Sequence, residues 1–394
     1  MNPLHRAKGP STQKAIFGYG LTGSVVSMTN LVSNTGVVSA DVTGVGTARR
    51  GLAAAGYGTD KAIFGYGYSS AYVSMTNLVS NTGVVGTDVT GVGTGRKDFS
   101  AAGYGTDKAI FGYGEGVVPY VSMTNLVSNT GVVSNDVTGV GTARWGAPAA
   151  GYGIDKAIFG YGNTSVAVSM TNLVSNTGVV STDVTGVGTA RSAPAAAGYG
   201  TDKAIFGYGY TSAVVSMTNL VSNTGVVSTD VTGVGTARYF LAAAGYGTDK
   251  AIFGYGYIPG TGGVSMTNLV SNTGVVSADT AGVGTGRESL AAAGYGTDKA
   301  IFGYGYTTAA VSMTNLVSNT GVVATDVTGV GTARWVPAAA SYGTDKAIFG
   351  YGLNASGTRV SMTNLVSNTG VVSTDVTGVG TARHSPAAAG FSLT

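Results

Sequence analysis

The chain has 394 residues, of which 10% are charged and 43% are hydrophobic, and its formal net charge is +3. Soluble domains usually contain about 25% charged residues, so this composition predicts a packed, turn-rich chain, and the scattered basic residues offer no run that would bind nucleic acid. With no Cys and two His, the chain lacks material for disulfides, thiolate metal sites or a His-based triad, so we expect neither cofactor nor metal.

The sequence is built from eight copies of one unit. The methionine of VSMTNLVSN marks each copy and recurs 47 to 49 residues apart, at Met28, Met75, Met123, Met170, Met217, Met266, Met313 and Met362. A constant period of this length indicates a repeat architecture, so the domain organisation follows from the repeats and not from the chain length. Repeats 1 to 8 are 14–49 together with 386–394, then 50–96, 97–144, 145–191, 192–238, 239–287, 288–334 and 335–385. We expect residues 1–13 to be an attachment segment or disordered.

Each repeat predicts four short strands. In repeat 2, LAAAGYG and KAIFGYG flank a GTD turn and predict strands a and b, while YVSMTNLVS and VVGTDVTGV flank the turn SNTG and predict strands c and d. The pattern argues against helix, because β-branched residues are frequent, Gly recurs every few residues and no 3.6-residue apolar period is sustained.

Four antiparallel strands in a period of about 40 to 50 residues are typical of a β-propeller blade. We therefore expect an all-β fold, a single eight-bladed β-propeller of four-stranded antiparallel blades. The small residues of strand a would fit the crowded axis. The bulky residues Ile63, Phe64, Tyr66, Met75 and Leu78, with their equivalents, would fill the blade faces.

The two ends of the chain complement each other. Repeat 1 begins at strand b with Lys14, whereas the chain ends on PAAAGFSLT, a strand a with nothing after it. Pairing of Pro386–Ser392 with Lys14–Gly20 would complete the eighth blade, close the ring and remove the exposed strand edges of an open array.

Two segments resemble the kelch repeat. ARSAPAAAGYGTDKAIFGYG (190–209) is similar to a kelch strand a, turn and strand b, and VSMTNLVSNTGVVSTDVTGVGTAR (215–238) is similar to its strands c and d. The likeness of layout covers residues 14–394 and implies a propeller. The sequence departs from the family where Tyr208 splits the glycine pair and where the strand-d Trp is absent. The near-identical repeats are also similar to repeats of bacteriophage structural or tail-associated proteins. This resemblance implies a location on a virion or an extracellular appendage.

The repeats differ in two loops. These are the b–c loop after KAIFGYG and the d–a loop after the fixed Arg, which lie at the same end of an antiparallel blade, whereas the a–b and c–d turns are nearly uniform. We expect these sixteen variable loops to form one face that binds a ligand, because Tyr and Trp are enriched at recognition sites. The candidate binding residues are Tyr68, Tyr72, Phe99, Tyr120, Trp145, Tyr210, Tyr239, Phe240, Tyr257, Tyr306, Trp335, Arg359 and His384.

The pattern favours a non-enzymatic recognition or adhesion module whose partner is a cell-surface protein or glycan. The alternative is a structural scaffold or designed symmetric propeller without a specific ligand, in which the loops have drifted neutrally and their aromatic residues cap the core. No apolar leader and no run of 18 apolar residues is present, so we expect neither a signal peptide nor membrane insertion. The sequence does not specify the oligomeric state.

Residues for catalysis are few. His5 lies in the leader and His384 in a loop. We expect the three acids unique to their repeats, Asp98, Glu115 and Glu288, to lie far apart, which argues against paired glycosidase-type carboxylates and leaves an enzyme as the third alternative. The eight fixed Asp and eight fixed Arg predict one ion pair repeated in every blade; the alternative is a ring that binds an ion at the axis. We expect the Gly-rich phrases FGYG and GVGTGR to be turns, not phosphate loops.

Overall fold

The computed structural model describes residues 14–391 except 43, 138, 185, 328, 377 and 379. Throughout this part of the chain the regular secondary structure is β-strand. No segment in the described ranges is a helix long and apolar enough to cross a membrane. The expectations for residues 1–13 and for Ser392 fall outside these ranges.

The described strands follow one another in a repeating order. Those of repeats 1 to 4 are β1 (Lys14–Leu21), β2 (Val25–Val32), β3 (Ala53–Tyr57), β4 (Lys61–Tyr68), β5 (Tyr72–Val79), β6 (Ser100–Tyr104), β7 (Lys108–Gly112), β8 (Thr124–Val127), β9 (Ala149–Tyr152), β10 (Lys156–Gly160) and β11 (Thr171–Val174). Those that follow are β12 (Ala195–Tyr199), β13 (Lys203–Gly207), β14 (Thr218–Val221), β15 (Ala242–Tyr246), β16 (Lys250–Gly254), β17 (Tyr257–Ile258), β18 (Gly262–Gly263), β19 (Thr267–Val270), β20 (Ala291–Tyr295), β21 (Lys299–Gly303), β22 (Thr314–Val317), β23 (Ala338–Tyr342), β24 (Lys346–Gly350), β25 (Thr363–Val366) and β26 (Ala387–Phe391).

The strands form eight three-stranded antiparallel sheets, and β17 and β18 form a separate small hairpin. Every sheet has the KAIFG strand at its centre, with a strand a on one side and a strand c on the other. In repeat 1 the strand a comes from the C-terminus, because β26 pairs with β1 in the register Phe391 to Lys14. This is the register in which Tyr57 pairs with Lys61 across an ordinary a–b turn.

In the part of the chain that the structure describes, the run predicted as strand d is not a strand. In repeat 2 this run makes only the isolated bridges Val79 to Val85 and Thr76 to Val89. A side chain replaces part of the backbone pairing between strand c and this run, because Asn77 Nδ2 donates to the carbonyl oxygen of Gly86 at 3.1 Å. In six other repeats a Ser at the position of Gly86 accepts a hydrogen bond from a Leu backbone N of strand c. The expectation of four-stranded blades was wrong for this reason: each sheet has three strands.

Alternate residues of each central strand pack toward opposite neighbours. In β13, Ile205 packs against Phe253 of repeat 6, while Phe206 packs against Ile158 of repeat 4, and all of these side chains are buried. Gly207 permits the approach, since a Cβ there would lie 2.9 Å from Cζ of Phe253. Each fully buried Ile or Phe contributes about 1.5 to 3 kcal/mol. The interface between neighbouring repeats is therefore the hydrophobic core, although Met75, expected in it, is only half-buried.

The same interface joins repeat 8 to repeat 1. Phe17 of β1 packs in one buried cluster with Ile348 and Tyr351 of repeat 8. The a strands contact one another in succession along the chain, and β26 contacts both β23 and β3. Every one of the eight sheets therefore has two neighbours.

Candidate functional site

The two variable loops of each repeat are joined by backbone hydrogen bonds. In repeat 2, Tyr68 N donates to the Arg50 carbonyl oxygen at 2.8 Å, and Arg50 N donates back to Tyr68 at 2.9 Å. The equivalent bridges in the other repeats are Leu21 to His384, Lys97 to Glu115, Trp145 to Asn163, Ser192 to Tyr210, Tyr239 to Tyr257, Glu288 to Tyr306 and Trp335 to Leu353. The residues that differ between repeats therefore meet at one end of every sheet.

The uniform turns are also joined to each other. Asn81 Nδ2 of the c–d turn donates to Asp60 Oδ2 of the a–b turn at 2.9 Å, and Gly58 N donates to the Asp107 carbonyl oxygen of the next repeat at 2.7 Å. Equivalent bonds recur along the chain. These contacts give the uniform turns a structural reason to stay uniform, so their sameness does not by itself show that the other loops vary under selection.

Six of the candidate residues form aromatic contacts in repeats 5 to 8. The ring of Tyr239 lies 5.6 Å from Tyr210, 4.3 Å from Phe240 and 5.6 Å from Tyr257, centroid to centroid. Tyr210 is 38% exposed and Phe240 is 49% exposed. We call these four residues the aromatic cluster. In the following repeats, the rings of Tyr306 and Trp335 form a second contact at 5.6 Å.

Glu288 lies between these two aromatic groups. Its backbone pairs with Tyr306, and its charge helps to raise the pKa of Tyr239, after the larger effect of burial. The side chain is half-buried, and burial raises the pKa of its carboxyl group. Within the described residues this is the one acidic side chain without an ion pair, since each of the other 17 acids lies within 4.0 Å of a basic nitrogen. Sequence reasoning noted Glu288 only as an acid unique to its repeat.

The loops of repeats 2 and 3 contain a charge cluster in which one lysine pairs with two acids. Lys97 Nζ lies 3.3 Å from both Asp98 Oδ2 and Glu115 Oε2. The Tyr72 hydroxyl donates to Glu115 Oε1 at 2.6 Å, and this bond, together with Lys97, lowers the pKa of Glu115. The expectation that the unique acids lie far apart was therefore wrong for Asp98 and Glu115. Because they share Lys97, they lie within the roughly 10 Å that paired glycosidase carboxylates span.

Other candidate residues are placed differently. Phe99 packs into the core beside Tyr66 at 5.6 Å and Phe111 at 5.8 Å, so it caps the hydrophobic interface. Tyr68 contacts Tyr72 at 5.3 Å. Tyr120 is half-buried and Trp145 is 37% exposed, and neither ring contacts another ring of the described residues.

A third group is basic. His384 is half-buried, and burial followed by the charges of Arg359 and Arg50 lowers the pKa of its imidazole. The guanidinium of Arg50 lies 5.6 Å from the centroid of the Tyr68 ring. Arg359 and His384, at the junction of repeats 8 and 1, are thus close to Arg50 and distant in sequence from Glu288.

The fixed arginines belong to the scaffold. Arg238 is 0% exposed, its guanidinium lies 4.3 Å from the ring of Tyr208, and its Nη1 lies 3.7 Å from Asp279 Oδ1 of the next repeat. Tyr208 reaches this place with φ of 62°, in the left-handed region between two glycines. All eight fixed arginines are equally buried. They form the expected repeated ion pair, and their burial removes them from any ring that binds an ion at the axis.

A cavity of about 530 Å³ opens among the a strands and a–b turns of repeats 4 to 8. Ala244 and Ala293 of strand a line it, and Asp249 and Lys250 lie at an a–b turn beside it, with 2.8 Å between Lys250 Nζ and Asp249 Oδ1. None of the candidate binding residues lines this cavity. Apart from Ile154 and Ser341, which replace a Thr and a Gly of the other repeats, the lining belongs to the uniform part of the repeat.

Metal-binding groups of three or more His, Cys, Asp or Glu do not occur among the residues that the structure describes. No protein-family model matches the chain, and no curated protein matches it.

Proposed function

We propose that the eight sheets form a closed eight-bladed β-propeller of kelch-like layout. Three observations support this architecture: the succession of a-strand contacts, the pairing of β26 with β1, and the packing of Phe17 against Ile348 and Tyr351. Because adjacent strands of a sheet twist, sheets packed face to face in a cyclic order arrange radially around an axis. The repeat boundaries given above are the proposed blades.

We propose further that the protein is a non-enzymatic recognition module. The observation that carries this proposal is the backbone pairing of the two variable loops at one end of all eight sheets. In a propeller this pairing assembles the differing residues into one variable face, where exposed rings such as Phe240 and Trp145 are available for contact. The proposed ligand is a cell-surface protein or glycan, as for an adhesin or a phage fibre tip.

Nucleic acid is a poor fit to this face. The eight fixed arginines are buried, and the lysines of the a–b turns in repeats 2 to 8 each pair with the preceding Asp. The excess positive charge is therefore not available as a continuous basic surface. The scaffold alternative is favoured locally by Phe99 and by the cluster around Lys97, because these variable-loop residues are satisfied by internal contacts.

A loop-replacement experiment tests the recognition proposal. In the test variant, all sixteen variable loops carry the phrases of repeat 5, and in the control variant the exposed valines of two uniform turns, Val226 and Val275, are changed to Ser. The intact protein and both variants are screened against a glycan array and against intact cells, and their folding is checked by circular dichroism.

We expect binding by the intact protein and the control, and none by the folded test variant. Equal binding by all three would place the ligand on the uniform part of the repeat. Absence of binding by all three would favour a structural scaffold. Either result would contradict the recognition proposal.

A further inference from the structure

Among the residues that the structure describes, Glu288 is the one acidic side chain without an ion pair. The acids of repeats 2 to 8 pair with a fixed Arg, with an adjacent Lys or, for Asp98 and Glu115, with Lys97. Glu288 has no such partner and accepts no hydrogen bond at its carboxylate from a described residue. The variable loops of repeats 5, 6 and 7 contain no Lys, Arg or His, so the missing positive charge is not available locally.

The surroundings of Glu288 suit a cation in a second way. Tyr239 occupies the position of Glu288 in the preceding repeat, and Trp335 occupies it in the following one. Tyr239 belongs to the aromatic cluster, and Trp335 contacts Tyr306, the backbone partner of Glu288. Aromatic faces attract organic cations through their negative potential, most strongly when the site is partly desolvated. A carboxylate flanked by half-buried rings therefore combines both means of holding an ammonium group.

We infer that Glu288, the aromatic cluster and the Tyr306–Trp335 pair form a site for an organic cation, an ammonium group with an apolar body. This inference rests on the proposed function, since it assigns a ligand chemistry to one part of the variable face. It also divides that face: the charges of Arg359 and Arg50 repel the same ligand, and both acids of the cluster around Lys97 already have an ion pair.

The test uses the full-length protein and small probes. Choline is titrated and its methyl signal is followed by NMR, with 3,3-dimethylbutanol as the neutral analogue of the same shape. Nα-acetyl-lysine methylamide is the second arm, which separates a free ammonium compound from a lysine side chain of a protein partner. The variants are Glu288→Gln, Tyr239→Leu and, as matched control, Glu115→Gln, which removes a carboxylate that is already paired.

We expect choline to bind about tenfold more tightly than its neutral analogue, and Glu288→Gln and Tyr239→Leu each to weaken choline by about fivefold to tenfold. Glu115→Gln is expected to leave the affinity unchanged. Equal affinity of the protein for choline and for the neutral analogue would overturn the inference. So would equal choline affinities of the Glu288→Gln and Glu115→Gln proteins. The inference would also fail if neither choline nor Nα-acetyl-lysine methylamide bound. Cation binding in a protein that fails the loop-replacement screen would leave this site intact and remove only the receptor proposal.

Discussion

Replacing one fixed arginine tests how the repeats are held together. The Arg238 side chain is 0% exposed, and it reaches from repeat 5 into repeat 6. Its Nη2 donates to Asn268 Oδ1 at 2.6 Å, and its Nε donates to the Tyr255 carbonyl oxygen at 2.7 Å. The guanidinium also lies 4.3 Å from the centroid of the Tyr208 ring, and Nη1 lies 3.7 Å from Asp279 Oδ1. The change is Arg238→Met, which keeps an unbranched apolar side chain and removes the charge and the donors.

The expected loss follows from these contacts. Removing one partner of a buried ion pair costs about 3 to 5 kcal/mol, and the lost stacking on Tyr208 adds about 1 kcal/mol. The Asp279 side chain is 25% exposed, so solvent screens part of the ion pair. The apolar side chain of Met offsets a further part. We therefore expect Arg238→Met to lower the free energy of unfolding by about 3 kcal/mol.

Urea unfolding followed by circular dichroism measures this loss, with equal m-values required for the comparison. Arg50→Met is the control, because Arg50 lies on the surface and stacks on Tyr68 without a buried counter-charge; we expect it to cost less than about 1 kcal/mol. A loss below about 1 kcal/mol for Arg238→Met, or equal losses for the two variants, would refute the role of the buried arginine in holding the interface.

Three further predictions follow from the repeat contacts. Gly86 lacks the hydroxyl with which Ser134 accepts a hydrogen bond from Leu126 N, and a Cβ there would meet only the Leu78 carbonyl oxygen at 3.7 Å. Gly86→Ser is therefore expected to stabilise by about 1 kcal/mol in urea unfolding, and destabilisation would contradict this. Burial alone would raise the pKa of Asp279, but hydrogen bonds from Thr236 and Asn268 and the charge of Arg238 outweigh it, so the pKa lies below its usual value. The stabilisation that ionised Asp279 contributes is present above the pKa of this carboxyl group in the unfolded chain, and it is lost as pH falls through the lower pKa in the folded protein. Urea unfolding midpoints are therefore expected to decline below about pH 4, and a rise on acidification would contradict this role of Asp279. Finally, a circularly permuted chain would join Phe391 to Lys14 through Gly-Thr-Asp and begin at Thr248, so that it ends at Gly247. We expect this chain to have the same oligomeric state and the same urea unfolding midpoint as the protein in its original order. An aggregated product would count against the proposed closed ring.

The sequence by itself determined the elements whose cause is local. The 47- to 49-residue period predicted the repeats and strands a to c. The alternation of bulky residues predicted the burial of Ile63, Phe64 and Tyr66, though not of Met75, because a strand presents its side chains to two sides in turn. The incomplete repeats at the two ends predicted the pairing of β26 with β1, because the strand a that repeat 1 lacks is the one with which the sequence ends. The prediction of strand d was wrong because the side chain of Asn77 competes for a backbone partner, the carbonyl oxygen of Gly86. A residue pattern does not reveal this competition.

Only the tertiary structure decided which loop residues are available to a ligand. Phe99 and Phe240 are both phenylalanines of d–a loops, but Phe99 packs against Tyr66 and Phe111, whereas Phe240 is 49% exposed. Glu115 and Glu288 are likewise both acids unique to their repeats, but only Glu115 has Lys97 beside it. The physical reason is that burial and charge compensation depend on which distant residues surround a side chain, whereas the period and the strands follow from neighbours along the chain.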